Sequence, residues 1–314
     1  MEDKKISYGG QAVMEGVMMR GRAGYSLAVR KPDGDITIIE KKLSPPSRIM
    51  KWPIIRGIVA FGSSMKLAFS VLSQSAEIAM EGLEPEPTSR VERFLTEKLG
   101  DKLNNVIVGI SMVLAVVLGL GMFMLLPALI GSFLIRTEGS RWLSVVEGLV
   151  RICIFVLYVF TISRMRDIQR VFQYHGAEHM AIDCHEQGLP LTPENVSRHS
   201  RLHKRCGTSF LLVVMVVSMV LFMIVRIDDM WLRLASRIIF LPLIAGLSYE
   251  ISVKWAGGRD NWLVRAVIAP GILMQRMTTK VPDTSQIEVA IAALEKAIAQ
   301  DAPHEQDPLQ ECSL

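Results

Sequence analysis

A chain of 314 residues that is 50% hydrophobic, with a mean hydropathy of +0.32, carries more apolar surface than one soluble core of that length needs. A formal charge of +4 would suit nucleic acid, but the basic residues lie between apolar blocks and form no aromatic-interleaved stripe, so nucleic acid is not an expected partner. Cys153, Cys184, Cys206 and Cys312 show no paired spacing, which excludes a secreted disulfide framework. Met1 to Lys5 lead into a Gly-rich segment and not an apolar signal region.

Residues 1–48 read as a Gly-rich and β-hairpin subdomain. YSLAVRKPDGDITIIEKKL, 25–43, has two β-rich runs around Pro32-Asp33-Gly34-Asp35, a turn with its φ preset by Pro and a Gly free to take positive φ. Before it, YGGQAVMEGVMMRG, 8–21, matches neither a Walker A loop nor a dinucleotide fingerprint; its glycines suit the turns of a small β-subdomain. Residues 49–105 read as amphipathic and interfacial. Ile54, Ile58, Phe61, Met65, Ala68, Leu72, Ala76 and Ala79 recur every three or four positions, with Trp52 as an anchor, while Arg56 and Lys66 argue against a span. Ser89 to Glu92 has the form of a capping box opening a short helix.

Four spans follow. Residues 106–135 are uncharged, and Pro127 predicts a kink or tilt. The second, 144–163, carries Glu147 and Arg151 at i,i+4, where they can neutralise each other. The third is 209–225; the fourth, about 234–253, contains Pro242 and ends near Glu250. Lys and Arg concentrate in 1–105, 164–208 and 251–314, so these segments and both termini are expected in the cytoplasm of an inner membrane. The expected fold class is a mainly α, polytopic membrane protein with about four transmembrane helices, an amphipathic interfacial helix and a small N-terminal β-hairpin subdomain. Residues 254–314 are expected to hold one terminal helix, opened by a capping box at Ser285 to Glu288, and a disordered tail.

Five of the six histidines fall between 175 and 203, on the loop 164–208. As a helix continuing out of the second span, this segment puts Ile168, Phe172, His175, His179 and Ile182 on one stripe. Two imidazoles at i and i+4 can share a divalent metal, and zinc is the expected cofactor. His175-Gly176-Ala177-Glu178-His179 also matches H-x-x-E-H, in which two His hold zinc and the Glu acts as general base. The third ligand is left between Glu250, His203 and Cys206. His185 and His199 are read as interfacial residues making ordinary hydrogen bonds.

GGQAVMEGVMMRG (9–21), WPIIRG (52–57), FQYHGAEH (172–179), RCGTSF (205–210), AGLSYE (245–250) and IEVAIAALEKAI (287–298) resemble the YqhQ-like family of bacterial membrane proteins. The resemblance implies an inner-membrane protein of a family without established activity, sometimes labelled predicted metal-dependent enzymes. The family pattern has Pro where this chain has Lys204. Two functions follow as expectations: a metal-dependent hydrolase, with Glu178 as catalytic base and Glu15 and Arg20 orienting substrate, or a non-catalytic scaffold with a structural His cluster. A transporter is weaker, because no internal repeat or paired broken helices occur. The expected partners are the lipid bilayer, proteins docking on the N-terminal subdomain and the C-terminal helix, and further copies of the chain as a homo-oligomer.

Overall fold

A computed structural model describes residues 7–43, 52–82, 103–135, 141–204, 206–225, 227, 229–255 and 261–305. The short helix expected from Ser89 and the expected terminal tail lie outside them. The chain divides into two compact units, Met1–Glu81 with Val156–Val217 and Phe240–Leu314, and Gly82–Phe155 with Ser218–Ile239.

In the first unit, the Gly-rich segment supplies two strands of the small β-subdomain that its glycines suggest. β1 (Gly9–Val13), β2 (Gly16–Arg20), β3 (Gly24–Arg30) and β4 (Ile36–Lys42) make one antiparallel meander. The expected hairpin is β3 and β4, closed by Gly34 at φ 97. The second hairpin was hidden because its turn is Met14-Glu15. Glu15 sits at φ 51, which is unfavourable for a side chain, and is held there by its carboxylate, which accepts from Arg170 Nε and Nη2 and from Tyr174 Oη (3.2 Å).

The two faces of the sheet bury different partners. Val17, Met19 and Ala28 join Tyr8 against helices α5 (Arg166–Glu186) and α11 (Thr284–Glu305), where Tyr174, Ala177, Leu294 and Ala297 are buried. Val13, Met18, Leu27 and Val29 face the second half of α1 (Ile55–Ala79) at Val71 and Ala79. Fully burying each of these larger side chains is worth roughly 1.5–3 kcal/mol. The first half of α1 packs on α9 (Leu241–Tyr249), where an added Cβ on Gly57 would lie 2.8 Å from the Gly246 Cα. Glu250 fastens this junction, accepting from Ile54 N (3.2 Å) and from Arg56 Nε (2.7 Å) and Nη2.

Two expectations at the C-terminal end are corrected. Trp262–Thr278 is a helix, α10, absent from the sequence reading because Pro270 stands inside it; Asn261 caps it, accepting from Val264 N at 2.9 Å. The capping box of α11 is Asp283 with Gln286, two residues before the expected Ser285 with Glu288. Asp283 Oδ1 accepts from Gln286 N (2.9 Å) and Gln286 Oε1 accepts from Asp283 N (3.0 Å). Both pairs fit the sequence pattern, and only the geometry separates them.

In the second unit, α2 (Leu103–Leu120) passes through a π-helical turn, Gly121–Leu125, into α3 (Leu126–Leu134). Pro127 has no N–H for the Phe123 carbonyl, and the wide turn absorbs the irregularity ahead of it. The freed carbonyl accepts from Arg151 Nε at 2.9 Å. Arg151 therefore does not neutralise Glu147, as the i,i+4 spacing in α4 (Arg141–Ile162) suggests. Glu147 pairs with Arg237 and, at 3.4 Å, with Arg233, both on α8 (Met230–Ile239).

Among the described residues, four helices are long and apolar enough to cross a membrane: Ile55–Ala79, Val113–Leu134, Trp142–Ile162 and Gly207–Ile224, the last being α7. The expected fourth span is instead a bent pair, Met230–Ile239 with Leu241–Ser252, meeting at 47°. The protein is thus mainly helical, with apolar helices of membrane-crossing length and a small four-stranded sheet.

Candidate metal centre

The histidines stand on α5, which is not continuous with α4. Ser163 to Met165 turn the chain, Ser163 Oγ donating to Phe160 O (2.7 Å), and Met165 is extended (φ −73, ψ 134) before α5 starts. The 3.6-residue period then places His175 and His179 one turn apart, with ring centroids 4.4 Å apart. The loop after α5 contains a single helical turn, α6 (Pro193–Val196), and returns Cys206 to the pair. One donor atom each from His175, His179 and Cys206 lies within 4.8 Å of the other two.

Each imidazole is oriented by a backbone carbonyl. His175 Nδ1 lies 2.8 Å from Thr278 O, and His179 Nδ1 lies 2.6 Å from Arg201 O. A carbonyl oxygen only accepts, so both Nδ1 atoms carry a proton, and in the neutral ring it is Nε2 that holds the lone pair. His175 Nε2 meets Cys206 Sγ at 3.3 Å. Carbonyls behind imidazoles that fix the ligating tautomer are the usual support of a metal-bound histidine. The carbonyls themselves are held in place. Gln275, fully buried on α10, brackets His203 with both ends of its amide: Oε1 accepts from His203 N and Nε2 donates to His203 O, each at 2.8 Å. Beyond Thr278, Lys280 N donates to Phe172 O (2.8 Å), and the Lys280 carbonyl crosses α5 where Gly176 has no side chain; a Cβ there would lie 2.1 Å from it.

Glu178 is almost wholly buried, and its Oε2 has no hydrogen-bond partner. Burial pushes its pKa up to about 7, against the pull of nearby His175 and of the Gly10 N–H that donates to it. Strand β1 closes on this carboxylate so tightly that a Cβ on Gly10 would stand 2.7 Å from Glu178 Cγ.

The other expected site residues separate into neighbours and structural partners. His203 lies beside the centre, its ring 5.7 Å from that of His179, with Nε2 3.5 Å from a Glu186 carboxylate oxygen; burial lowers its pKa. Glu250 belongs to the α1–α9 junction and not to the group formed with Cys206. Glu15 is engaged by Arg170 and Tyr174, and burial, then Glu15, pushes the Tyr174 phenol up. Arg20 ends β2, in register with Gly9 and Tyr25. His199 is tied to Asp183, with 2.9 Å between Nδ1 and Oδ2, as an ordinary polar contact predicts. Sequence reasoning missed Gly10, Gln275 and the two carbonyls. Three of these four act through backbone atoms, which leave no residue-type signal.

Chemically, His175, His179 and Cys206 offer two imidazole nitrogens and one thiolate sulfur, a donor set that suits a tetrahedral zinc with one position open. A carboxyl group close to neutrality stands beside it.

Residues 52–300 match the family described as "Protein of unknown function (DUF1385)". The "Uncharacterized protein YqhQ" of Bacillus subtilis (strain 168) is 35% identical over 311 residues, covering 96% of this chain and 95% of that protein. No solved structure matches. With more than half of its length matched and a relative that parallels it almost end to end, the chain belongs to the DUF1385, or YqhQ-like, family.

Proposed function

We propose that the protein is a membrane-embedded, metal-dependent hydrolase whose site opens to the cytoplasm. The observation that carries the reading is the paired orientation of the imidazoles: both direct Nδ1 to a backbone carbonyl, of Thr278 and of Arg201, His175 Nε2 meets Cys206 Sγ, and one donor atom of His179 lies within 4.8 Å of theirs. His175, His179 and the Cys206 thiolate would hold zinc, which supplies Lewis acidity and a water made acidic enough to attack. Glu178 would take the proton from that water, its unpartnered Oε2 being the receiving atom. Gly10 N–H keeps the carboxyl group oriented.

Packing supports the topology. The sheet contacts both α5 and α11, so the chain crosses the membrane an even number of times between 43 and 165, and again between 187 and 283. Three candidate spans lie in the first interval. The second half of α1 is packed on the sheet, which supports reading α1 as the helix that does not cross. The second interval holds α7 and the bent pair. Four crossings result, and the Lys and Arg of the connecting segments assign the sheet side to the cytoplasm.

Metal analysis of the purified full chain tests the centre. About one zinc per chain is expected, lost in His179→Ala and retained in Glu178→Gln; cobalt-substituted protein should show a thiolate-to-metal absorption that Cys206→Ser removes. Absence of stoichiometric metal from wild type overturns the reading. A panel of activated esters and phosphoesters then separates catalysis from scaffolding: a hydrolase loses turnover in Glu178→Gln with its zinc intact. A purely structural centre is the alternative, favoured by the way the donors tie the 187–206 loop to α5. It predicts a wild type without turnover and a His179→Ala variant that unfolds.

A further inference from the structure

The candidate metal centre is one end of a longer row. His175, His179 and Asp183 follow one another on α5 at steps of four, on one face and about 6 Å apart along its axis. The returning loop runs the opposite way along that face. His199 meets Asp183 at 2.9 Å, the Arg201 carbonyl meets His179, and Cys206 meets His175.

Directly after Cys206 the chain enters α7. Gly207–Ile224 has 18 residues and no charge, about 27 Å of helix against a hydrocarbon layer about 30 Å thick. A crossing with no apolar residue to spare puts Cys206 at the membrane boundary. Gln275, which brackets His203, also lies 3.3 Å from Ser209 Oγ and so ties the first turn of α7 to the centre. The donors open to the outside are at this end: His175 and Cys206 are partly exposed, whereas Glu178 and His179 are buried.

At the other end of the row, a solvent-open cavity of about 520 Å³ lies over Asp183 and His199. Small-molecule sites have volumes of roughly 300–1,000 Å³. Gln187, Asn195, Arg198 and Ser200 make the rest of the lining polar, apart from Leu189. Residues 197–206 carry Arg198, Arg201, Lys204 and Arg205 and no acid. Asp183 and Glu186 face this loop from α5, each beside a histidine, His199 and His203. A basic segment at a membrane surface attracts anionic headgroups. The molecule that fits such a row has a tail in the bilayer, an anionic group at the donors and a polar head beyond it. A phosphodiester lipid has its parts in that order.

Resting on the hydrolase reading and on α7 as a crossing helix, we propose that the substrate is a phospholipid-like phosphodiester. Its phosphorus stands at His175, His179 and Cys206, and its headgroup occupies the cavity at Asp183 and Arg198. Glu178 takes a proton from water as the water oxygen bonds to phosphorus. The P–O bond to the headgroup alcohol breaks, and that oxygen receives the proton from Glu178.

The test uses the full chain in a neutral detergent. Cobalt-loaded Glu178→Gln holds a substrate without turning it over, and its visible absorption reports a ligand reaching the metal. Phosphatidylglycerol is expected to change that absorption saturably. Glycerophosphoglycerol, the same diester without acyl chains, should bind about tenfold more weakly or worse, lacking the membrane partition that acyl chains supply. In the same background, Arg198→Gln should keep its metal and weaken phosphatidylglycerol about fivefold, as removing one cation near an anionic headgroup does. Equal affinity for the two diesters, or no effect of Arg198→Gln, overturns the proposal. Wild-type turnover separates it from the reading beneath it. Hydrolysis of bis(p-nitrophenyl) phosphate, a water-soluble diester, without hydrolysis of phosphatidylglycerol overturns the lipid substrate and leaves the hydrolase. Hydrolysis of neither, or absence of metal, overturns both.

Discussion

At Gly10, one missing side chain links a strand near the start of the chain to a carboxylate more than 160 positions later. The Gly10 N–H donates to Glu178, and a Cβ at this position would overlap the Glu178 side chain. Gly10→Ala should therefore cost about 1–3 kcal/mol, as overpacking of a filled site does, while the zinc content proposed for His175, His179 and Cys206 stays as in wild type. Thermal unfolding together with metal analysis checks this; an unchanged melting temperature would show that β1 can retreat. His175, Glu178 and His179 were legible in the sequence because helical period alone puts them together. Cys206 was legible only as one of three alternatives, since no local rule says how the 187–206 loop returns. Thr278 and Arg201 were illegible, because they contribute carbonyls that any residue has.

The elements repeat this division between local and distant control. The β3–β4 hairpin could be read from Pro32 to Asp35, where the turn chemistry is in the residues themselves. The β1–β2 turn could not, because Glu15 tolerates positive φ only with Arg170 and Tyr174 holding its carboxylate. The start of α11 is a case where pattern found the device and misplaced it. Asp283 is the cap, and despite the opposing effect of burial, its bonds from Ser285 and Gln286 and the nearby Arg170 hold its pKa below the ordinary carboxylate value. Asp283→Ala should destabilise the protein by about 1 kcal/mol at neutral pH. A carboxyl group depressed on folding contributes fully above its unfolded pKa and ceases to contribute as pH falls through the folded one. The difference between wild type and variant should therefore shrink below about pH 4 and be constant above it. Denaturant titrations at several pH values give that difference directly, and a gap that persists at low pH would deny the cap its charge.

For the whole molecule, composition made the long apolar helices legible, but the surroundings of α1 needed packing. By length and apolar content it qualifies as a span, whereas Val71 and Ala79 face the sheet. Epitope tags at the two termini should be protected in intact spheroplasts and digested in inverted vesicles. Tags found on opposite sides would mean that α1 crosses and that the even count fails. The dissimilar fates of Glu147 and Arg151, one spacing rule apart, show the limit of reading spans singly. In a bundle, a charge chooses among neighbouring helices, and α8 offered Glu147 two arginines before its own helix mate could serve.

The Thr278 carbonyl that sets the tautomer of His175 has a consequence in time. During synthesis His175 and His179 on α5, and Cys206, leave the ribosome well before α10 does, and the carbonyl that orients His175 arrives with Thr278. A growing chain thus has the three candidate donors ready early and the complete candidate centre only late, once α10 has been made. If the centre binds the proposed zinc, loading would fall to the finished protein, and a chain interrupted before residue 278 would lack the carbonyl that orients His175.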